Sequence, residues 1–304
     1  MLRNVLLRTA ASPFWISQIE WWGRRSGLTR RFVAGESFEE ALPVIRGLQD
    51  EGLLTTLDQL GEDTRDLSAA RRAADKYIEL LRRLNVESIP STLSIKLSQL
   101  GLAIDPNFCR DLLGSILAEA EKVDNFVTVD MESSAYTEST LEVYRWALDR
   151  FGTARVGIVL QAYLFRTEAD LRALSALGCH IRLCKGAYRE PRTVAFPRKS
   201  DVNRNYRKLV RVLFESPAYP EVATHDERLI RYVQRLARER KPRDSWEFQM
   251  LFGIRRSRQR SLARAGYRVR VYVPFGTQWA PYFTRRLAER PANLVFLLRH
   301  LGRR

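Results

Sequence analysis

Residues 156–185 read VGIVLQAYLFRTEADLRALSALGCHIRLCK. The stretch opens on an apolar, β-branched run, Val156 to Tyr163. An amphipathic pattern follows, Thr167 to Leu177, and stops at Gly178. A second β-rich run, His180 to Lys185, completes it. Two short strands joined by a helix form a parallel βαβ unit, since parallel neighbours need a crossover and hairpins do not. The same grammar extends in both directions. Further strand candidates are Leu53 to Gly61, Thr92 to Leu100, Phe126 to Met131, Glu221 to His225, Glu247 to Phe252 and Tyr267 to Pro274. Helical patterns lie at Asp66 to Asn85, Asn107 to Val123, Glu138 to Phe151, Val202 to Phe214 and Asp226 to Arg240. Glycine or proline marks several boundaries, among them Gly101, Pro220, Gly253, Gly266 and Gly276.

Eight strands in this alternation predict an α/β fold, a closed (β/α)8 barrel of the TIM type. An open doubly wound sheet is the competing arrangement. The chain has no G-x-G, so the Rossmann dinucleotide fingerprint is missing, and no Walker A loop is present. No linker-like segment splits the chain. The reading is an N-terminal helical segment over residues 1–50, with Phe38 to Leu48 as a helix, and a catalytic barrel over residues 51–304. A helix after the eighth strand is expected to lie over the active site.

The 304 residues are 45% hydrophobic and 28% charged, which excludes a mainly disordered chain. No apolar run reaches the roughly 18 residues of a spanning helix. The three cysteines, Cys109, Cys179 and Cys184, lack C-x-x-C spacing and form neither a disulfide framework nor a zinc cage. A reducing cytoplasm is the expected compartment. The three histidines, His180, His225 and His300, exclude an H-E-x-x-H zinc site, and no metal is expected.

Lysine and arginine total 51 against 35 acids, a net charge of +16. That balance first suggests nucleic acid. Its distribution argues otherwise, because the arginines scatter over helical faces beside Asp or Glu. Solvated faces account for most of it, and no nucleic-acid partner is expected. Two segments are more concentrated. The first 35 residues hold six arginines and one acid, Glu20, interleaved with Trp15, Trp21 and Trp22. Arg255 to Arg270 is also basic. An Arg-plus-Trp segment suits an anionic membrane surface, since indole rings prefer headgroup depth. A peripheral contact on the inner face of the membrane is therefore a further expectation. A cleaved signal peptide is not expected, because Arg8 interrupts Val5 to Ala11. The acid-poor, Arg-rich start also has the composition of a transit peptide.

In a barrel of this kind the C-terminal strand ends line the active site. They carry Lys96, Asp130-Met131-Glu132, Gln161-Ala162-Tyr163, Arg182-Leu183-Cys184-Lys185-Gly186-Ala187-Tyr188, Thr224-His225-Asp226, Glu247-Phe248-Gln249 and Tyr272-Val273-Pro274. Lys96 is a charge inside an apolar run, which is costly without a partner. Arg182-x-x-Lys185-Gly186 places two cations beside a bare peptide, an arrangement suited to phosphate; a salt bridge and a turn glycine explain it equally well. Near the C-terminus, Arg285 and Arg286 sit beside Tyr282 and Phe283, with Glu289 one helical turn on. A solvated Arg-Arg-x-x-Glu surface and a carboxylate clamp are both compatible with that pattern.

Taken in order, these segments resemble the proline dehydrogenase family. The similarity runs from about Leu53 to Leu301. It includes Ser-Ile-Lys-Leu-Ser-Gln-Leu-Gly at 94–101, Ala223-Thr224-His225, Glu247-Phe248-Gln249-Met250-Leu251, Tyr272-Val273-Pro274-Phe275-Gly276 and Arg285-Arg286-x-x-Glu289. The resemblance implies oxidation of L-proline to Δ1-pyrroline-5-carboxylate with FAD as hydride acceptor and a quinone as final electron acceptor. It also implies a monofunctional enzyme that works with a separate pyrroline-5-carboxylate dehydrogenase. Arg285, Arg286 and Lys96 would take the proline carboxylate. Tyr272, Tyr282 and Leu183 would wall the ring. Asp130 and Arg182 would be the catalytic pair, Arg182 also touching the flavin. Met131, Gln161, Lys185, Gly186, Ala187, Thr224 and His225 would hold the rest of FAD, and Glu289 would bind it or order the last helix. Arg189 departs from the family, which often has an aromatic residue there over the adenine. Tyr282 leaves little room for a ring hydroxyl and favours proline over hydroxyproline. A flavin-free barrel enzyme gripping a phosphorylated small molecule is the alternative reading of Arg182, Lys185 and Gly186.

Overall fold

The structure, a computed structural model, describes residues 29–61, 64–280 and 282–283. Eight parallel strands close into a barrel in sequence order. They are β1 Leu54–Gln59, β2 Ser91–Lys96, β3 Val127–Asp130, β4 Val156–Gln161, β5 His180–Cys184, β6 Tyr219–Ala223, β7 Glu247–Leu251 and β8 Val269–Phe275. Closure is made by β8 on β1, from Leu54 opposite Arg270 to Gln59 opposite Phe275. Helix α1, Phe38–Asp50, precedes the barrel. The crossovers are α2 Leu67–Val86, α3 Pro106–Lys122, α4 Thr137–Phe151, α5 Thr167–Ser175, α6 Lys199–Phe214, α7 Glu227–Arg240 and α8 Arg256–Arg264.

Local chemistry starts these helices where the barrel needs them. Asp66 caps α2 by accepting from the Ala69 amide, and Asp105 caps α3 from the Asn107 and Phe108 amides, with Pro106 as the first helical residue. The strands divide their side chains by the period of two. Leu57, Leu93, Ile158, Leu183, Val222, Phe248 and Val271 are fully buried in the main apolar core. Helix α1 joins that core through Phe38, Ala41, Ile45 and Leu48. A smaller apolar cluster unites Phe32, Val33 and Leu60 with Trp279, Tyr282 and Phe283.

Two elements differ from the sequence reading. The second strand does not continue to Leu100. The chain leaves the sheet at Lys96 and coils into a 3-10 turn, Leu97–Leu100, closed by Gly101 in the left-handed region. Glu132 fixes that turn by accepting from the Ser98 amide at 2.9 Å and its hydroxyl at 2.6 Å. Helix α8 was visible only as a basic stretch. It buries just Gln259 and Leu262, so it has almost no apolar stripe to read.

Candidate active site

A cavity of about 640 Å3 opens at the C-terminal ends of the strands. It is lined by Lys96, Asp130, Met131, Gln161, Arg182, Lys185, Gly186, Ala187, Thr224, His225, Tyr272 and Tyr282, all expected there from the sequence. Leu183 does not line it. One residue on from Arg182, Leu183 belongs to the opposite face of β5, where it is fully buried in the apolar core. Arg285, Arg286 and Glu289 lie outside the described residues, as do Trp15, Trp21 and Trp22 of the basic N-terminal segment.

The floor of the mouth is a charged group held by five strands. Asp130, at the end of β3, is bound on both oxygens. Its Oδ1 accepts from Arg182 Nη1 at 2.9 Å and its Oδ2 from the Tyr272 hydroxyl at 2.7 Å. Arg182 Nη1 also donates to Ser94 Oγ at 2.8 Å, and the guanidinium stands 5.5 Å from the Tyr272 ring centroid. Lys96 Nζ is 4.0 Å from Asp130 Oδ2. Its closer anion is Asp58 of β1, both of whose carboxylate oxygens lie at 2.9 Å. Burial pushes the Asp130 carboxyl above its ordinary value, and the neighbouring Arg182 and Lys96 charges only partly offset this. Burial, and then the Asp130 charge, push the Tyr272 phenol far up, so it remains a hydrogen-bond donor.

The wall from β4 to β7 is built differently. Gln161 donates from Nε2 to the Met131 carbonyl at 3.1 Å. Gly186 has φ of +100°, and a Cβ there would stand 2.3 Å from the Tyr163 ring, so only glycine fits. Lys185 pairs with Asp226 at 2.9 Å. Burial opposes ionisation of Asp226, but Lys185 and the Arg228 and Leu229 amides together hold the carboxyl below its ordinary value. Asp226 also caps α7 through the Arg228 amide at 3.0 Å. His225 Nε2 accepts from the Leu251 amide at 2.9 Å, which puts the proton of a neutral ring on Nδ1. The His225 carbonyl accepts from Arg255 at 2.7 Å.

Sequence reasoning missed Asp58, Arg255 and the pairing role of Asp226. The signal for Asp58 was present: it is a charge inside an apolar strand, as Lys96 is. A second cavity, about 250 Å3, lies at the opposite end of the barrel among Thr92, His180, Tyr219, Glu221, Glu247 and Arg270. Its charges largely close on one another. Arg270 donates to Glu247 at 2.7 and 3.1 Å, and Gln249 bridges Glu221 and Glu247 at 2.6 and 2.7 Å.

A closed (β/α)8 barrel with a buried carboxylate–guanidinium–phenol group at its C-terminal mouth defines an enzyme of the TIM-barrel class. The family model for proline dehydrogenase matches residues 41–299. Proline dehydrogenase from Deinococcus radiodurans is 41% identical over 306 residues, covering 98% of this chain and 97% of that protein. Proline dehydrogenase 1 of Bacillus subtilis subsp. natto is 39% identical over 300 residues, covering 98% of each. Among solved structures, proline utilization A from Bdellovibrio bacteriovorus, inactivated by N-propargylglycine, superposes with a TM-score of 0.81 at 26% identity. The match covers 86% of this chain and 32% of that one, so the chain spans about a third of that structure. The chain belongs to the proline dehydrogenase family, oxidoreductases of proline catabolism. Among the described residues, no helix is long and apolar enough to cross a membrane.

Proposed function

We propose that the chain oxidises L-proline to Δ1-pyrroline-5-carboxylate at the C-terminal mouth of the barrel, with FAD held there. The observation that carries this reading is the Asp130 carboxylate fixed by Arg182 and Tyr272 with Lys96 at 4.0 Å. It is a preorganised, water-poor charged floor under a cavity of about 640 Å3. The mouth fits a flavin on its own chemistry. Gln161 Oε1 and Arg182 Nη2 are buried and make no hydrogen bond among the described residues. They leave one acceptor and one donor for the polar edge of an isoalloxazine ring, which offers both complements. Gln161, Arg182, Met131, Lys185, Gly186, Ala187, Thr224 and His225 are the residues assigned to hold it.

Bound FAD supplies the acceptor for the hydride that leaves the carbon beside the ring nitrogen. The protein's part is position and field. Lys96, with Arg285 and Arg286, takes the proline carboxylate. Tyr272 and Tyr282 wall the ring. Asp130 keeps Arg182 and Tyr272 in place, and its charge favours the positive character that develops on the substrate as hydride departs. The nitrogen gives its proton to solvent before transfer, since its lone pair assists departure. Electrons pass on to a quinone in this reading, with residues 1–50 as an N-terminal segment, residues 51–304 as the catalytic barrel and a separate pyrroline-5-carboxylate dehydrogenase downstream. The phosphate-gripping alternative finds no support in the comparisons, whose family model for proline dehydrogenase matches residues 41–299.

The visible spectrum of the purified protein tests the reading. Oxidised flavin bands are expected, bleached anaerobically by L-proline and not by D-proline or L-lactate. A colourless protein that FAD cannot reconstitute overturns it.

A further inference from the structure

Resting on the assignment of the mouth to proline, we infer that Asp58 is a positioning residue: it holds Lys96 for the substrate carboxylate and keeps that ammonium off Asp130. On the sheet, Lys96 stands directly opposite Asp130 of β3. Yet its ammonium is drawn to the other neighbour. Both Asp58 oxygens lie 2.9 Å from Nζ, against 4.0 Å for Asp130 Oδ2. Asp58 is 0% exposed and the Lys96 side chain 7%. Neither charge has bulk water to fall back on, so each depends on a counter-charge.

Among the described residues the floor pairs Asp58 with Lys96 and Asp130 with Arg182, whose Nε also lies 3.6 Å from Glu221 Oε2. Tyr272 takes the remaining Asp130 oxygen. Once the Asp58 charge is removed, the next anion to Lys96 among the described residues is Asp130, about an ångström beyond contact distance. A lysine stem with four rotatable bonds closes that gap readily. The ammonium then competes with Arg182 and Tyr272 for Asp130 and is withdrawn from the carboxylate. Asp58 acts through Lys96, so its effect depends on Lys96 being present.

A double-mutant cycle with the flavin-loaded full chain tests this. Asp58→Asn is expected to raise the KM for L-proline by roughly tenfold or more, the ratio of a lost charge contact, and to lower kcat as well. Asp58→Glu, which restores the charge, should recover part of both. Adding Asp58→Asn to Lys96→Met should change neither parameter by more than about twofold, and the double variant should exceed Asp58→Asn in kcat because no stranded ammonium remains. If Asp58→Asn alone does not fold, comparison of Lys96→Met with the double variant decides the matter, since the double leaves no lone buried charge. A double variant whose losses multiply those of the singles overturns the inference, as does an Asp58→Asn enzyme with parent kinetics. A parent protein that proline does not reduce overturns the functional reading instead, so the two failures are distinct.

Discussion

The Tyr272 hydroxyl donates to Asp130 Oδ2 at 2.7 Å, tying the last strand of the barrel to the third across the mouth. The bond favours the ionised carboxylate, which burial pushes the other way. Tyr272→Phe removes the donor and leaves the ring. The Asp130 carboxyl then rises further above its ordinary value. With the ionised form active, the acid limb of kcat/KM is expected to move to higher pH. The pH profile of both enzymes reads it; coincident acid limbs would detach Asp130 from that limb.

The barrel was legible because most strand runs and several helix starts are written locally: β-branched runs, Asp caps at 66 and 105, glycine stops. The mouth was legible where a charge interrupts an apolar strand, as Lys96 and Arg182 do. What could not be read was pairing. Whether Lys96 goes to Asp58 on one side or Asp130 on the other depends on barrel register, and the sequence does not display register. The same limit hid the Lys185–Asp226 pair, 41 residues apart. Helix α8 was missed for another reason. Its buried Gln259 is polar, bonding the Leu251 and Ile254 carbonyls, so no hydrophobic period marks the helix.

Gly186 is the wall position with least freedom. Its φ of +100° disfavours any side chain, and a Cβ would meet the Tyr163 ring at 2.3 Å. Gly186→Ala should destabilise by roughly 1–3 kcal/mol from backbone strain alone, a fall of several degrees in Tm for a chain of this size. Flavin retained on purification should fall with it, since the glycine lines the mouth. Unchanged Tm and flavin content would show that the wall has more slack than this geometry allows.

The basic, Trp-bearing N-terminus invites a truncation, and the structure decides where to cut. Phe32 and Val33 are buried against Trp279 and Phe283, and the Ala34 amide donates to the Pro274 carbonyl at 2.8 Å. Removing residues 1–35 would therefore damage the edge of the mouth. Removing residues 1–28 should leave proline-dependent flavin reduction intact and weaken binding to vesicles with anionic lipid. Co-sedimentation at two salt concentrations measures this, because an electrostatic contact would weaken as salt rises. Equal binding by both forms would remove the membrane role.

Arg285 and Arg286 lie outside the described residues, but the clamp assigned to them has consequences in kinetics. Lys96 brings one cation to the mouth, and Asp58 already engages it through both carboxylate oxygens. A proline carboxylate stripped of water therefore needs further donors, and a planar guanidinium fork matches its two oxygens. Replacing either arginine by Met should raise the KM for proline. Truncating one member of a desolvated charge pair costs roughly 2–5 kcal/mol, or about 30-fold to several thousandfold in affinity. Lys in place of Arg should recover only part, because the fork is lost. Prolinamide has no carboxylate, so it should be a poor substrate of the parent enzyme and lose far less rate in the variants. A solvated surface pair would change stability and KM by no more than about 0.5 kcal/mol equivalent. Parent-like KM in one variant would release that arginine from the clamp, and parent-like KM in both would leave Lys96 as the carboxylate's cation.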